Sequence, residues 1–446
     1  MDFVAFKEEI IGVCRELGLS EYELYYQTGE STSVGVFQQA VEKFTSAVEG
    51  GVCFRCIVNG KMGYASTEDL ADPRRLVLTA MDNARVLESD DPVFLGEGGQ
   101  TYEPLVRENY ELPTTGELID VAMEAQKALY AADEKVIDGT STQALRERME
   151  ISIYNSKGLD LNYVNHVAGL VAVAVVSDGT QMANDHAIRL GKLDTIDREA
   201  LAHKAAGDAC RKLGGSPAPT GKYPVVFSPE AMADLLQTYQ GIFSARRAQK
   251  GLSKLQGAEG TVIGSAAVTI VDDPFHPDSP MPIPFDAEGS PTHRKNVVEA
   301  GVLNTLLYDM ESANLAGKST TGNAAKGSFR SAVGIRPFSM YLASGQQTPE
   351  QLLELAGDGV YIDGLAGLHA GANIVSGDFS LQSEGYLIRD GRKTERVKAF
   401  TVAGNFYDLL KNIRAVANDS HLPMALGMTA FGGPTTLVDG LSIAGV

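Results

Sequence analysis

Residues 51–70 read GVCFRCIVNGKMGYASTEDL. Val52–Val58 and Lys61–Ala65 are rich in β-prone residues. Asn59-Gly60 between them tolerates positive φ at both positions, so the stretch predicts a β-hairpin. Ser66 or Thr67 is placed to cap a following helix, with Glu68 and Asp69 near the positive end of its dipole. Leu76, Leu78, Met81 and Ala84 continue that helix as an apolar stripe. Cys53 and Cys56 form a C-x-x-C inside the first strand. Residues three apart on a strand point to opposite faces, so these read as half-buried structural thiols, not a redox pair or zinc knuckle.

Upstream, Phe3–Leu17 is an amphipathic helix with no uninterrupted apolar run, which argues against a signal peptide. Short strands are expected at Glu23–Thr28, Thr32–Gln38 and Lys43–Glu49. Downstream, Ser89–Pro104 reads as a linker. A helix follows over Gly116–Lys135, then strands Met149–Asn155 and Leu159–Val164 around the turn Ser156-Lys157-Gly158, a long strand Val167–Ser177 and a helix Arg198–Leu213. Gly214–Gly221 (GGSPAPTG) is the clearest domain boundary. Tyr223–Phe227 then reads as a buried strand. Ser228-Pro229-Glu230 opens a helix with a hydroxyl cap, a first-position proline and an acid. That helix is expected over Pro229–Gln249, with Met232, Leu235, Leu236, Tyr239, Ile242 and Phe243 on one face. The expected fold is α+β: an N-terminal α/β lobe in two parts (1–104 and 105–218) before a larger, sheet-rich C-terminal domain (219–446).

The chain's 446 residues exceed the roughly 250–300 that one core supports, so several domains are expected. Its net charge of −19 repels phosphate backbones and anionic membranes. The densest basic cluster is only Arg246, Arg247 and Lys250. No apolar run of about 18 residues predicts a transmembrane helix. Cysteines that read as free thiols suit a reducing compartment. The expectation is a soluble cytoplasmic protein of bacterial type that binds neither nucleic acid nor membrane.

None of the seven histidines lies within fifteen residues of another. Paired-imidazole zinc motifs are therefore missing. His276 with Asp272 and Asp273 is the best local donor set, but Asp272-Asp273-Pro274 reads as a turn whose carboxylates cap backbone N–H groups. Gly317-Lys318-Ser319 looks like the end of a P-loop, yet Ser312 stands where that motif needs glycine. Neither G-x-S-x-G nor G-x-G-x-x-G occurs. Asp286 and Glu288 form an acid–base couple if suitably spaced; otherwise they sit in a solvated turn or pair with an arginine such as Arg294.

Four segments in register, Gly51–Leu70, Val271–Gly289 (VDDP … FDAEG), Gly301–Ala325 and Gly371–Ser380 (GANIVSGDFS), resemble the TldD/PmbA family, once called modulators of DNA gyrase. Gly385–Ile388 and Ala403-Gly404-Asn405 extend the likeness. Within the family they are similar to the PmbA branch, also called TldE. The resemblance implies a cytoplasmic dimeric assembly in which TldD and TldE subunits enclose a cavity and cut unfolded peptides, with zinc carried by TldD alone. A TldD subunit carries H-E-x-x-x-H on a helix, two imidazoles for one zinc and a glutamate as general base. By family order that helix is Pro229–Gln249, which contains no histidine.

This chain is thus expected to be a non-catalytic TldE/PmbA-type subunit without catalytic or metal-ligating residues, its partner a TldD-type chain or a second copy. Alternatives are a standalone homodimeric peptide-binding scaffold and a divergent hydrolase. Asn373, Gly377, Asp378 and Ser380 are the candidate peptide contacts, because a glycine-rich loop in the family's central sheet presents backbone groups to an extended peptide; the alternative is a plain turn between core strands. Glu230, Asp234, Arg246 and Arg247, on the polar face of the helix, are candidates for the cavity lining or the partner contact. Ser420–Gly433 departs from the family pattern.

Overall fold

A computed structural model describes residues 2–88, 91–105, 110–279, 281–422 and 429–445. The N-terminal lobe is built on one six-stranded antiparallel sheet. Its strands are β1 (Tyr22–Phe37), β2 (Ala40–Val58), β3 (Lys61–Thr67), β4 (Ser141–Asn155), β5 (Asp160–Ser177) and β6 (Met182–Leu190), in spatial order β3-β2-β1-β4-β5-β6. Both N-terminal regions supply strands to it. Helices α1 (Phe3–Glu16) and α2 (Pro73–Val86) cover one end; α3 (Thr115–Ala132) and α4 (Arg198–Arg211) cover the other.

The hairpin signal is realised: Asn59 and Gly60 adopt φ of 52° and 77°. Cys53 packs in the cluster that meets the C-terminal domain, and Cys56 in the one beneath α1 and α2. The two thiols lie on opposite faces, as strand alternation requires.

Several expected boundaries change. Glu23–Thr28 and Thr32–Phe37 lie within one strand of 16 residues, with Gln38 in the turn after it, and Lys43–Glu49 and Val52–Val58 lie within one of 19. Leu159–Val164 and Val167–Ser177 likewise merge into β5. Neither Ser66 nor Thr67 caps α2. The β3 ladder runs to Thr67, and Asp72 caps α2 through Arg75 N–H at 2.9 Å. Pro73 explains the delay, since it fits the first helical turn but not the interior. On α2 the buried stripe includes Val77 and Ala80, whereas Leu78 is exposed.

The expected linker is pinned rather than free over Asp91–Pro104; Ser89 and Asp90 lie outside the described residues. Leu95 is buried, Gly96 O accepts from Asn155 Nδ2 at 2.8 Å, and the Tyr102 hydroxyl donates to Gly289 O at 2.9 Å.

The C-terminal domain centres on β7 (Gly221–Phe227), β8 (Gly359–Ala366), β9 (Asp378–Arg389), β10 (Arg392–Asn405), β11 (Ile413–Val416) and β12 (Thr436–Ala444). Their order is β10-β9-β8-β7-β12-β11, and β10 also pairs with β12 through Val402 opposite Ile443. Five of the strands therefore close into a ring, and β11 lies outside it against β12. A five-stranded sheet of short strands, including Ile270–Asp272, Lys295–Glu299 and Ser339–Leu342, lies beside it. Between them runs α5 (Pro229–Tyr239), and its predicted stripe is fully buried.

The helix expected to reach Gln249 stops at Tyr239. A 3-10 turn, Gln240–Phe243, separates it from the short α6 (Ala245–Gln249). Phe243 O and Ala245 N–H pair with Leu307 at 2.8 and 2.9 Å, which draws the chain out of helical geometry.

Candidate functional site

Ser228 caps α5 by accepting from Ala231 N–H at 3.2 Å. In the first turn of α5, Glu230 meets His421, with Oε1 and Nε2 3.6 Å apart. The close pairing with His421 holds the Glu230 carboxyl down at about 2, and the same contact raises the imidazole above its usual value. The next acid on that face, Asp234, is pushed up to about 6, first by burial and then by the Glu230 charge, against an opposing effect from His186. An ionised glutamate paired with an imidazole thus stands beside an aspartate whose carboxyl is raised to about 6.

Arg246 and Arg247 do not share this face, because the break after Tyr239 redirects the chain. Arg246 turns to the following loops: it pairs with Asp309, reaches Glu311 at 2.9 Å and donates to Val333 O at 2.8 Å. Arg247 stays near the Gly371–Ser380 loop; its Nε and Ile374 both border Gly241. Of the four polar candidates on this segment, only Glu230 and Asp234 act on one another.

The Gly371–Ser380 loop joins β8 to β9. Asn373 folds back on it, its Oδ1 accepting from Val375 and Ser376 N–H at 3.0 and 3.1 Å. Gly377, at φ 85°, donates to Asn373 O at 2.8 Å and passes its own carbonyl to Phe406 N–H. A Cβ at Gly377 would lie 2.4 Å from the Tyr407 ring. The Asp378 carboxylate accepts from Asn405 Nδ2 at 2.8 Å, and hydrogen bonds from Asn405 and then Ser376 keep it below its ordinary value. Tyr239 at the end of α5 donates to Asp378 O at 2.8 Å, so helix and loop are one unit. Ser380 is exposed on β9. Many of the loop's backbone groups are engaged within the fold, while Asn373, Val375, Asp378 and Ser380 are exposed.

A second polar centre lies where the lobe meets the C-terminal domain. Asp286 and Glu288 are buried there, not in a solvated turn, and their arginine is Arg55, not Arg294. Arg294 instead approaches Asp273 at 3.7 Å. Arg55 Nε donates to Glu23 at 2.6 Å, and its Nη1 is 3.9 Å from Glu288 Oε1. Burial raises both Asp286 and Glu288. Asp286 accepts from the N–H groups of Glu288, Ser290 and Ala324 at 2.9–3.0 Å, which favours its ionised form. The proton of the pair therefore belongs on Glu288. Asp286 sits beside Tyr25, Lys326 and Arg336 around a small cavity, and Glu288 borders a second one with Arg55. Sequence reasoning missed Arg55, Tyr25, Lys326 and Arg336; an arginine inside the apolar run VCFRCIV was the available signal.

Asp272 is fully buried. It accepts from Phe338 and Ser339 N–H at 2.8 and 3.2 Å, from Asn323 Nδ2 at 2.7 Å, and pairs with Lys295 at 3.2 Å. His276 Nδ1 accepts from Asp278 N–H at 3.1 Å. Among the described residues no three His, Cys, Asp or Glu side chains are grouped to hold a metal ion. The side chains of α5 and α6 do not fit a zinc centre, since none is an imidazole and Glu230 already serves His421. Among those residues, too, no helix is long and apolar enough to cross a membrane.

Three family profiles match in order: PmbA/TldA metallopeptidase domain 1 over residues 22–84, the central domain over 108–213 and the C-terminal domain over 220–445. A metalloprotease of Methanothermobacter thermautotrophicus is 28% identical over 406 residues, 89% of this chain and 87% of its own. Metalloprotease PmbA of Escherichia coli O157:H7 is 25% identical, covering 92% and 91%. Among solved structures, a Thermotoga maritima protein described as a modulator of a DNA gyrase superposes with TM-score 0.89 at 31% identity, covering 99% of this chain and 100% of that one. TldE of Thermococcus kodakarensis shares the fold, with TM-score 0.87 at 23% identity and coverage of 99% and 100%. By its three matched domains and its shared architecture, the chain belongs to the PmbA/TldD family.

Proposed function

We propose that the chain is a non-catalytic subunit of TldE/PmbA type. It pairs with a TldD-type chain in a cytoplasmic zinc metallopeptidase assembly that cleaves unfolded peptides, and the partner carries the zinc. One observation carries this reading: the segment Pro229–Gln249 contains no imidazole, and its first acid, Glu230, is engaged with His421. A zinc centre needs three protein ligands and an open position, and a helix supplies two of them only when imidazoles stand about one turn apart. The metalloprotease names of relatives and the fold shared with a solved TldE support the reading.

In this assembly the Gly371–Ser380 loop and the Glu230–Asp234 face would line the peptide's path. Asp378 and Ser380 supply polar side chains there, and Gly377 fixes the loop's shape. Co-expression with a TldD-type chain tests the pairing. A stable one-to-one complex that digests an unfolded peptide, with neither chain active alone, is the expected result. Failure to associate under conditions where each chain is folded would count against it.

A further inference from the structure

A cavity of about 210 Å³ lies where the β2–β3 hairpin meets the C-terminal domain, bordered also by the segment after α2. Arg55 and Tyr64 are opposed in the β2–β3 ladder. Met62 is two residues from Tyr64, so all three side chains share one face of the sheet. The lining divides by chemistry. Met62, Leu87, Pro92, Val93 and Phe94 are apolar, whereas Arg55, Tyr64, Glu288 and Glu311 are polar. Apolar cavities with a few convergent polar groups are where proteins hold small molecules. A cavity of about 150 Å³ can hold benzene, so this one suits a body of roughly six to ten non-hydrogen atoms.

The polar groups lack acceptors. Arg55 Nε is satisfied by Glu23. Its Nη2 is buried without a hydrogen-bond partner, and its Nη1 stops 3.9 Å short of Glu288 Oε1. Glu288 Oε2 already accepts from Met310 N–H at 2.8 Å, so the proton of that carboxyl belongs on Oε1. A guanidinium N–H and a carboxyl O–H therefore face each other beyond hydrogen-bond reach. The Tyr64 hydroxyl turns toward the same guanidinium. An oxygen acceptor entering between these groups would satisfy donors that the fold leaves open.

A negative group stands next to them. Glu311 follows Met310 in the chain, borders the same cavity and is exposed, with Oε2 held by Arg246 at 2.9 Å. Lys61 and Asp91 also border the cavity, both engaged in other contacts. Glu23 balances Arg55, and Arg246 balances Glu311. A ligand of net charge would bring an uncompensated charge into a partly buried site, whereas one carrying both signs would not.

We propose that this cavity binds a free α-amino acid with an apolar side chain the size of leucine or methionine. Its α-carboxylate accepts from Arg55, Tyr64 and Glu288, its α-ammonium donates to Glu311, and its side chain packs on Met62, Val93 and Phe94. Complete digestion of a peptide releases such molecules. A residue inside a peptide carries neither charge, and a terminal residue carries one, so the site selects the free amino acid over both. The ligand touches lobe and domain at once and stabilises the occupied chain by mass action. The inference does not rest on the proposed metal-free role, and the failure of either leaves the other standing.

Isothermal titration of the full chain with L-leucine tests it. The expected result is saturable one-to-one binding with a raised melting temperature. N-acetyl-L-leucine lacks the ammonium and L-leucinamide lacks the carboxylate. Each binds at least about tenfold more weakly, the loss of a charge-assisted hydrogen bond. Glycine, without an apolar body, does not saturate the site. Glu311→Gln weakens L-leucine by about tenfold, and Val93→Trp, which fills the cavity, abolishes binding. Both variants keep the parent circular dichroism, since Glu311 is exposed and Val93 only half-buried. Three results would each overturn the proposal: no binding of L-leucine or L-methionine at millimolar concentration, L-leucinamide or N-acetyl-L-leucine binding as well as L-leucine, or binding indifferent to Val93→Trp. A ligand seated in the proposed peptide path would give the last of these.

Discussion

Arg55 on β2 and Glu288 in the C-terminal domain approach to 3.9 Å across the junction between lobe and domain, while the arginine is held at 2.6 Å by Glu23. All three are nearly inaccessible to water. The guanidinium needs one full counter-charge, which Glu23 supplies, and Glu288 remains protonated because burial raises it. Across this contact the junction is thus tied by the Arg55–Glu23 ion pair with a protonated Glu288 beside it.

Removing the guanidinium should therefore be costly. Arg55→Ala strands the ionised Glu23 in the interior and is expected to destabilise the protein by about 3–5 kcal/mol, the usual effect of breaking a buried pair. Arg55→Met with Glu23→Gln, which removes both charges, should lose less than Arg55→Ala. Urea titration of the variants measures the difference.

The Glu230–His421 pair makes a pH prediction. His421 is raised by its pairing with Glu230, so its contribution to stability is complete below the unfolded histidine value of about 6.5 and fades as pH rises through the higher folded value. Glu230 is held at about 2, so its contribution is present above the unfolded carboxylate range and fades only as pH falls toward 2. Both groups are half-exposed, so the effect on stability is small. The His421 imidazole resonance followed by NMR should titrate above 6.5 in the parent and at lower pH in Glu230→Gln.

Gly377 fixes the shape of the loop that carries Asp378. Its φ of 85° and the Tyr407 ring 2.4 Å from a would-be Cβ both oppose any side chain. Gly377→Ala should cost more than about 1 kcal/mol and, under the proposed function, weaken peptide binding, whereas Ser380→Ala at an exposed site should leave the melting temperature within a degree or so. Thermal melts and peptide titration check both.

Cysteine reactivity reports the strand geometry. Cys14 and Cys56 are buried, with thiols pushed up to about 12 and about 11 by burial; Cys53 is buried too, and Cys210 is half-buried. Of the four thiols, Cys210 alone should react with a disulfide reagent in the native state at pH 8, and all four after unfolding. Cys53 and Cys56 should form no mutual disulfide under any oxidant that leaves the fold intact.

Local chemistry made much of this legible in advance. Asn59-Gly60, the Ser228 cap and the apolar stripe of α5 depend on residues close in sequence, and each is realised. What stayed hidden depends on distant partners. The polar interval Gly29-Glu30-Ser31 looks like a strand break, yet β1 passes straight through it because β2 and β4 pair on both sides. Helix α5 ends at Tyr239 because Leu307, far along the chain, captures Phe243 and Ala245. Asp286 and Glu288 look solvated until Arg55 is brought to them from the other domain. The expected departure at Ser420–Gly433 falls partly on residues 423–428, outside the described residues.

The most direct test of the central reading is elemental analysis of the purified chain, alone and in complex with a TldD-type partner. The account predicts far less than one zinc per molecule for the chain alone, and one zinc per pair in the complex. One tightly held zinc in the isolated chain, together with unaided digestion of an unfolded peptide, would contradict it.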